Sequence, residues 1–419
     1  MNMKNLTVLA TLLPAAAGAV TFTVDKVQQR YPWNGMVDID YSVAYADGET
    51  PLDPVDDKLV FTFVDESVTP FVSNVVKYAE DTVPTVSGSY RATWDANLEG
   101  VTWRSDKVRM LLGVKHYARK YMVIDLSEGP TATSYPVTYM SAPPATDAGF
   151  NCTEYKTTKM VFRLIPPGTF RMGSMSDEVS RGENETRHLV TLTKSFYIGL
   201  FELTQAQYAN VRSLSVSDYA TYAGEERPVD RAMYKNFRCN CNADIPASGL
   251  FIKIMRTRAG LNTFDLPTEA QWEYACRAGT VTPLNDGVPC TTSEALESQA
   301  KVLGRCKANK DDKAGGYDAY TQHTVVGLYA PNKAGLYDMH GNVAEMCLDI
   351  FRADISTSDL RIDPLVPNTW VYNTDAKRPL RGGGFNRDVS TVRSAARVTG
   401  DTNSNTDSSY GYRLAVTLP

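Results

Sequence analysis

The stretch Gly335–Glu345, reading GLYDMHGNVAE, constrains the path of this chain strongly. Two carboxylates, Asp338 and Glu345, flank a Gly-Asn turn, and the turn can aim backbone carbonyls toward the same point as both side chains. A set of hard oxygens, several of them from backbone, suits calcium. The same residues also read as a capped helix start in which Asn342 turns the chain. An absence matters as much. The seven cysteines are Cys152, Cys239, Cys241, Cys276, Cys290, Cys306 and Cys347, and none follows Cys347. An odd count leaves at least one thiol unpaired within a monomer, and the pairing of the others stays open.

The chain has 419 residues, long enough for two or three domains with separate cores. Its net charge of −5 gives no electrostatic reason to expect nucleic acid or an anionic membrane as partner. Residues 1–19 read as a signal peptide: Lys4 supplies positive charge, Leu6–Leu13 is a short apolar run, and Ala17-Gly18-Ala19 has the small-x-small form of a cleavage site. The run is too short to span a bilayer, and no later segment is apolar enough to do so. The expectation is an exported, soluble protein, periplasmic, surface-held or secreted, with some cysteines paired.

Residues 20–140 read as all-β. Val37, Ile39, Tyr41 and Val43 alternate with Asp38, Asp40 and Ser42, the pattern of a half-buried strand, and Leu59, Phe61 and Phe63 alternate likewise. Thr21–Val27, Tyr90–Trp94, Val108–Lys115 and Tyr121–Leu126 are further strand-like runs. Short strands at this spacing predict a β-sandwich of immunoglobulin or fibronectin type. No catalytic constellation lies in it, so a spacer or adhesive module is the reading. Residues 141–156, beginning SAPPATDAGFN, form the expected linker, and 157–419 the second domain.

The second domain mixes short helices with many loops. Thr268-Glu269-Ala270-Gln271 is a capping-box pattern, with Gly279 as the stop, and Thr204-Gln205-Ala206-Gln207 repeats the box. Ala247, Phe251, Ile254 and Met255 make a third apolar face closed by Gly260.

Five segments of this domain carry a resemblance: MVFRLIPPGTFRMGS from Met160, HLVTLTKSFYIGLFELTQAQY from His188, FDLPTEAQWEYACRAGT from Phe264, VGLYAPNKAGLYDMHGNVAE from Val326, and a last one from Leu380 that begins LRGGGFNRD and ends YGYRLA. Their order and spacing resemble the formylglycine-generating enzyme family, the sulfatase-modifying-factor domain. The resemblance implies an irregular α+β fold similar to the C-type lectin fold. The predicted N-terminal sandwich lies outside it. It also implies structural calcium held by the side chains of Asp338 and Glu345 and the carbonyls of Gly341 and Val343. A second implied calcium site would use Asp318 and Tyr320, from Asp318-Ala319-Tyr320.

Enzymes of that family oxidise a cysteine in a target sulfatase to formylglycine with oxygen and a copper ion held by two thiolates. Those thiolates follow the RGG-Ser-aromatic turn. Here Gly384 stands at the serine position, and Asn386–Ser394, NRDVSTVRS, contains no sulfur. The loss of both thiolates argues against copper of that kind. The four histidines, His116, His188, His323 and His340, include no two at ligand spacing, which argues against nonheme iron. No Gly-x-Ser-x-Gly, His-Glu-x-x-His or phosphate-binding loop is present.

In many relatives, Gly382–Asp407 faces ligand. Asn386, Arg387, Arg393 and Arg397 are the ligand-binding candidates here, since guanidinium forks suit carboxylate, sulfate or phosphate. Arg393 and Arg397 can equally be internal pillars, because RSAAR resembles a family-wide pattern. Two functional expectations follow. The first is an exported, calcium-braced module without the oxidase activity, binding a protein, small molecule or glycan at the C-terminal pocket. The second is an oxidoreductase acting on a sulfur-containing substrate through an altered metal site.

Overall fold

A computed structural model describes residues 20–30, 34–65, 72–99, 108–214, 219–230, 233–239, 245–309, 322–355, 361–367, 377–400 and 407–419. The signal-peptide reading at 1–19, Cys241, the Asp318–Tyr320 pair and positions 401–406 fall outside these residues. The chain is mostly sheet with few helices and divides into two compact units, residues 1–118 with 168–171, and residues 119–167 with 172–419.

Among the described residues the first unit has the strands β1 (Val20–Gln29), β2 (Met36–Tyr45), β3 (Asp57–Asp65), β4 (Val72–Val75), β5 (Gly88–Asp95) and β6 (Val108–His116). They form two three-stranded antiparallel sheets, β1-β2-β5 and β4-β3-β6. In β2, Val37, Ile39, Tyr41 and Val43 are buried, as their alternation predicts, and they share one core with Leu59, Phe61, Phe63, Trp94 and Leu112. The polar face is held by ion pairs such as Arg30–Asp38 at 2.6 Å. Arg171 also belongs to this unit and grips Glu80 through two donors.

The second unit begins earlier than the sequence suggests. β7 (Tyr121–Asp125) and β8 (Val137–Met140) were expected in the N-terminal domain, but β7 pairs with β9 (Lys159–Ile165). The reason lies in β7 itself, whose YMVI run is buried on both faces. Met122 and Ile124 enter one core, while Tyr121 and Val123 enter another. A strand sealed on both faces belongs in the middle of a sheet.

After β10 (Gly168–Met172) come β11 (His188–Leu192), β12 (Phe196–Gly199), β13 (Phe264–Asp265), β14 (Ala344–Met346), β15 (Arg378–Arg381), β16 (Val398–Gly400), β17 (Tyr410–Gly411) and β18 (Ala415–Thr417). One sheet runs β13-β18-β12-β9-β7-β8, and a second runs β16-β15-β14-β17. In the second sheet Glu345 sits opposite Arg381 on one side and Gly411 on the other, which brings the GNVAE and RGGGF segments together.

Both capping boxes form. Thr204 and Thr268 accept from the N–H three residues on, while Gln207 and Gln271 reach back. The helix Glu269–Arg277 turns into left-handed backbone at Ala278. The helix predicted around Phe251 spans Phe251–Ala259 and ends at Gly260, φ 70°. Ala247 precedes it.

Candidate functional site

Asp338, Gly341 and Asn342 all take positive φ, at 57°, 91° and 61°. Gly341 has no alternative residue, because a Cβ there would lie 2.1 Å from the Arg305 carbonyl oxygen. Asn342 then ties four segments together. Its N–H donates to Arg305 (2.7 Å), and its carbonyl accepts from Phe385 N (2.9 Å). Its Oδ1 accepts from Thr324 N (2.9 Å), and its Nδ2 donates to Glu202 Oε2 (2.6 Å). Glu202 Oε1 accepts from Val343 N at 3.0 Å.

Glu345 is wholly enclosed. Arg413 Nε lies 2.9 Å from both its carboxylate oxygens and Arg413 Nη2 lies 2.6 Å from Oε1, while Trp272 Nε1 donates to Oε2. Arg413 also donates to the carbonyls of Gly199, Leu200 and Tyr337. Asp338 differs. Its Oδ2 accepts from Gly327 N at 2.6 Å, but its buried Oδ1 has no partner.

Three buried carboxylates, Glu345 in contact and Glu202 and Asp338 through their fields, thus act on one guanidinium, Arg413. Burial first, then the charge of Asp338 and Glu345, holds the Glu202 carboxyl well above its ordinary range. Burial pushes Asp338 up to about 6. Orphaned oxygen and excess negative charge are what a hard cation would neutralise, so Asp338 fits calcium. Glu345 fits less directly, since its lone pairs already face Arg413 and Trp272. Among the described residues no three His, Cys, Asp or Glu side chains converge as a ligand set, so backbone carbonyls would have to complete the shell.

The RGGGF side is a lattice of charge. Arg381 pairs with Glu273 and, at 3.4 Å, with Glu269; Arg277 meets Glu273 at 2.9 Å. Arg393 pairs with Glu178 at 2.6 Å and Glu185 at 2.7 Å. Arg397 forks onto Glu269 at 2.6 and 2.9 Å. Arg393 and Arg397 are therefore internal pillars, with side chains 1% exposed, and do not face a ligand. The structure leaves Asn386 exposed and Arg387 half-buried. Arg387 pairs with Asp407, reaches Ser409 Oγ at 3.3 Å and lies 5.6 Å from the Tyr410 ring centre. Lys307 pairs with Asp388 at 3.1 Å.

Gly384 is explained by close approach, since a Cβ there would meet Ser409 Cβ at 2.8 Å. The thiol of Cys276 sits 3.7 Å from Ser394 Oγ, and burial pushes it up to about 12, so it remains protonated and a poor metal ligand. Cys152, Cys276, Cys290, Cys306 and Cys347 are free thiols.

Sequence reading missed Glu202, Arg413 and Trp272. Glu202 lies in the apolar FYIGLFELT run, where an acid needs a partner once buried, and that was the available signal. It also missed a buried dyad: His323 Nε2 lies 2.9 Å from Asp230 Oδ2, and its ring meets Phe385 edge-on.

Residues 147–418 match the family model described as sulfatase-modifying factor enzyme 1-like domain. The chain is 29% identical over 230 residues to the chaperone protein LppX of Paenibacillus barcinonensis, covering 48% of this chain and 73% of that one. It is 34% identical over 126 residues to the formylglycine-generating enzyme of Thermomonospora curvata, covering 29% of this chain and only 38% of that enzyme. It is 26% identical over 301 residues to the inactive C-alpha-formylglycine-generating enzyme 2 of Bos taurus, covering 62% and 88%. Among solved structures, PvdO from Pseudomonas aeruginosa aligns at 22% identity and TM-score 0.48, over 64% of this chain and 97% of that one.

Proposed function

The chain belongs to the sulfatase-modifying factor enzyme 1-like family, and on that premise we propose that it is a binding module of the family that lacks the copper–thiolate oxidase activity. The carrying observation is the 386–394 segment. It holds no sulfur where the family resemblance implies two thiolates, and the nearby Cys276 is a protonated, buried thiol. The Bos taurus relative, whose name calls it inactive, supports the same reading.

The ligand face we propose is the turn carrying Asn386 and Arg387. Arg387 pairs with Asp407 and Lys307 with Asp388, so the face is polar yet carries no net charge. Such a surface selects by hydrogen bonds more than by charge, which favours a protein segment or glycan over a free anion. The chaperone name of the Paenibacillus relative favours a protein. In this reading Asp338 and the carbonyls of Gly341 and Val343 hold a structural calcium, with Glu345 and Arg413 bracing the loop behind it. Calcium would supply no chemistry beyond fixing that loop. The first unit acts as a spacer of immunoglobulin or fibronectin type, and the leader-like pattern of residues 1–19 supports export.

Mass spectrometry tests the central claim. Purified protein incubated with copper, oxygen, a thiol reductant and a Cys-x-Pro-x-Arg peptide should leave the cysteine unconverted. Formylglycine in that peptide would overturn the reading.

A further inference from the structure

A cleft opens at the start of the Glu269–Arg277 helix, lined by Met172, His188, Glu269, Asp349, Ile355 and Val366 among others. Its inner volume, about 10 Å³, admits one water-sized group. His188 is 8% exposed, and its Nδ1 lies 2.8 Å from the Thr186 carbonyl oxygen. A carbonyl only accepts, so Nδ1 carries the hydrogen and Nε2 keeps a lone pair. Burial lowers the pKa of this imidazole, which holds it neutral. The Nε2 atom is buried and has no partner.

Asp349 is 3% exposed. Its two oxygens accept from Val366 N at 2.9 Å and Glu269 N at 2.6 Å, and each retains a further lone pair. Burial, and then the charge of Glu269, push its carboxyl up to about 7. Glu269 is already matched to Arg397 and Arg381. Among the described residues no ion pair involves Asp349. Among the described residues this cleft therefore presents His188 Nε2 as an open acceptor and, in its ionised form, Asp349 as a carboxylate without an ion partner.

That pattern has a specific complement. Water must accept as well as donate, and its charge is zero. An ammonium group carries only donors and one positive charge. We propose that this cleft binds an ammonium group, either the free ion or the head of a small primary alkylamine, with His188 Nε2 and Asp349 as its acceptors. The inner space takes the ammonium head alone, closed by Met172, Ile355 and Val366, so the stem of an alkylamine would lie outside it. This site is independent of the ligand face at Asn386.

The test is a titration of the full chain, ring-nitrogen labelled at histidine, with ammonium, methylammonium, tetramethylammonium and potassium chlorides at constant ionic strength. The His188 Nε2 resonance should shift saturably with ammonium or methylammonium and stay unmoved by tetramethylammonium, which has no N–H. Saturation by ammonium alone assigns the free ion, and equal or tighter binding of methylammonium assigns an amine. By calorimetry, Asp349→Asn should weaken binding about tenfold or more, as loss of a charged hydrogen bond does. His188→Phe removes the lone pair at similar volume and should weaken it as well, which keeps the test alive if the first variant fails to fold. No saturable shift, an equal response to potassium or tetramethylammonium, or unchanged affinity in a folded variant would overturn the proposal.

Discussion

Arg413 has a fully buried guanidinium whose donors reach one carboxylate and three backbone carbonyls. Removing it would strand Glu345, Glu202 and Asp338 without their nearest cation. Arg413→Met should therefore lower stability by about 3–5 kcal/mol, as breaking a buried pair does, measured by urea unfolding. The double variant with Glu345→Gln should recover part of that loss, because it also removes the stranded charge. At this scale the sequence is half legible. Asp338 and Glu345 stand out because they bracket a turn within one segment. Their partners do not, since Arg413 lies 68 positions from Glu345 and Glu202 lies 140 from Asn342. No spacing rule links residues that far apart. Arg393 and Arg397 show the converse limit: the residue type allowed either a ligand contact or a pillar, and only the positions of Glu178, Glu185 and Glu269 decide.

Among elements, the helix Glu269–Arg277 was readable because its cap is local: Thr268 and Gln271 are three residues apart. Thr268→Ala should cost about 1 kcal/mol, read as a lower denaturation midpoint, since it releases an N-terminal N–H. Thr268→Ser should retain most of that stability. β7 was readable as a strand but not as a member of its sheet. Its partners, β8 and β9, are chosen by two apolar faces that find separate cores, and the alternation that identifies a one-faced strand is lost when both faces are sealed. The short strands β13 to β18 carry two to four residues each, too few for any period to register.

Across the molecule, stability depends on buried groups that titrate near neutrality. The Asp349 carboxyl, raised to about 7 by burial, binds its proton more tightly folded than unfolded. Its contribution is present at low pH and lost as pH rises through about 7. The His340 imidazole works in the opposite sense: burial lowers it to about 4, so its contribution is present above its ordinary value of 6.5 and lost as pH falls below that. Between pH about 8 and 6.5 only the first effect operates. Unfolding free energy should rise by roughly 1 kcal/mol on acidification across that window. Asp349→Asn should remove most of the rise, as followed by urea unfolding at each pH. The Asn342 knot has a consequence of its own, in time rather than energy. Its bonds join the turn to Glu202, Arg305, Thr324 and Phe385, segments drawn from across the second unit. Closing such long loops is entropically slow, so this turn can lock only after those segments have met. The turn is therefore expected to close late in assembly, so Asn342→Ala should speed unfolding more than it slows refolding in stopped-flow traces.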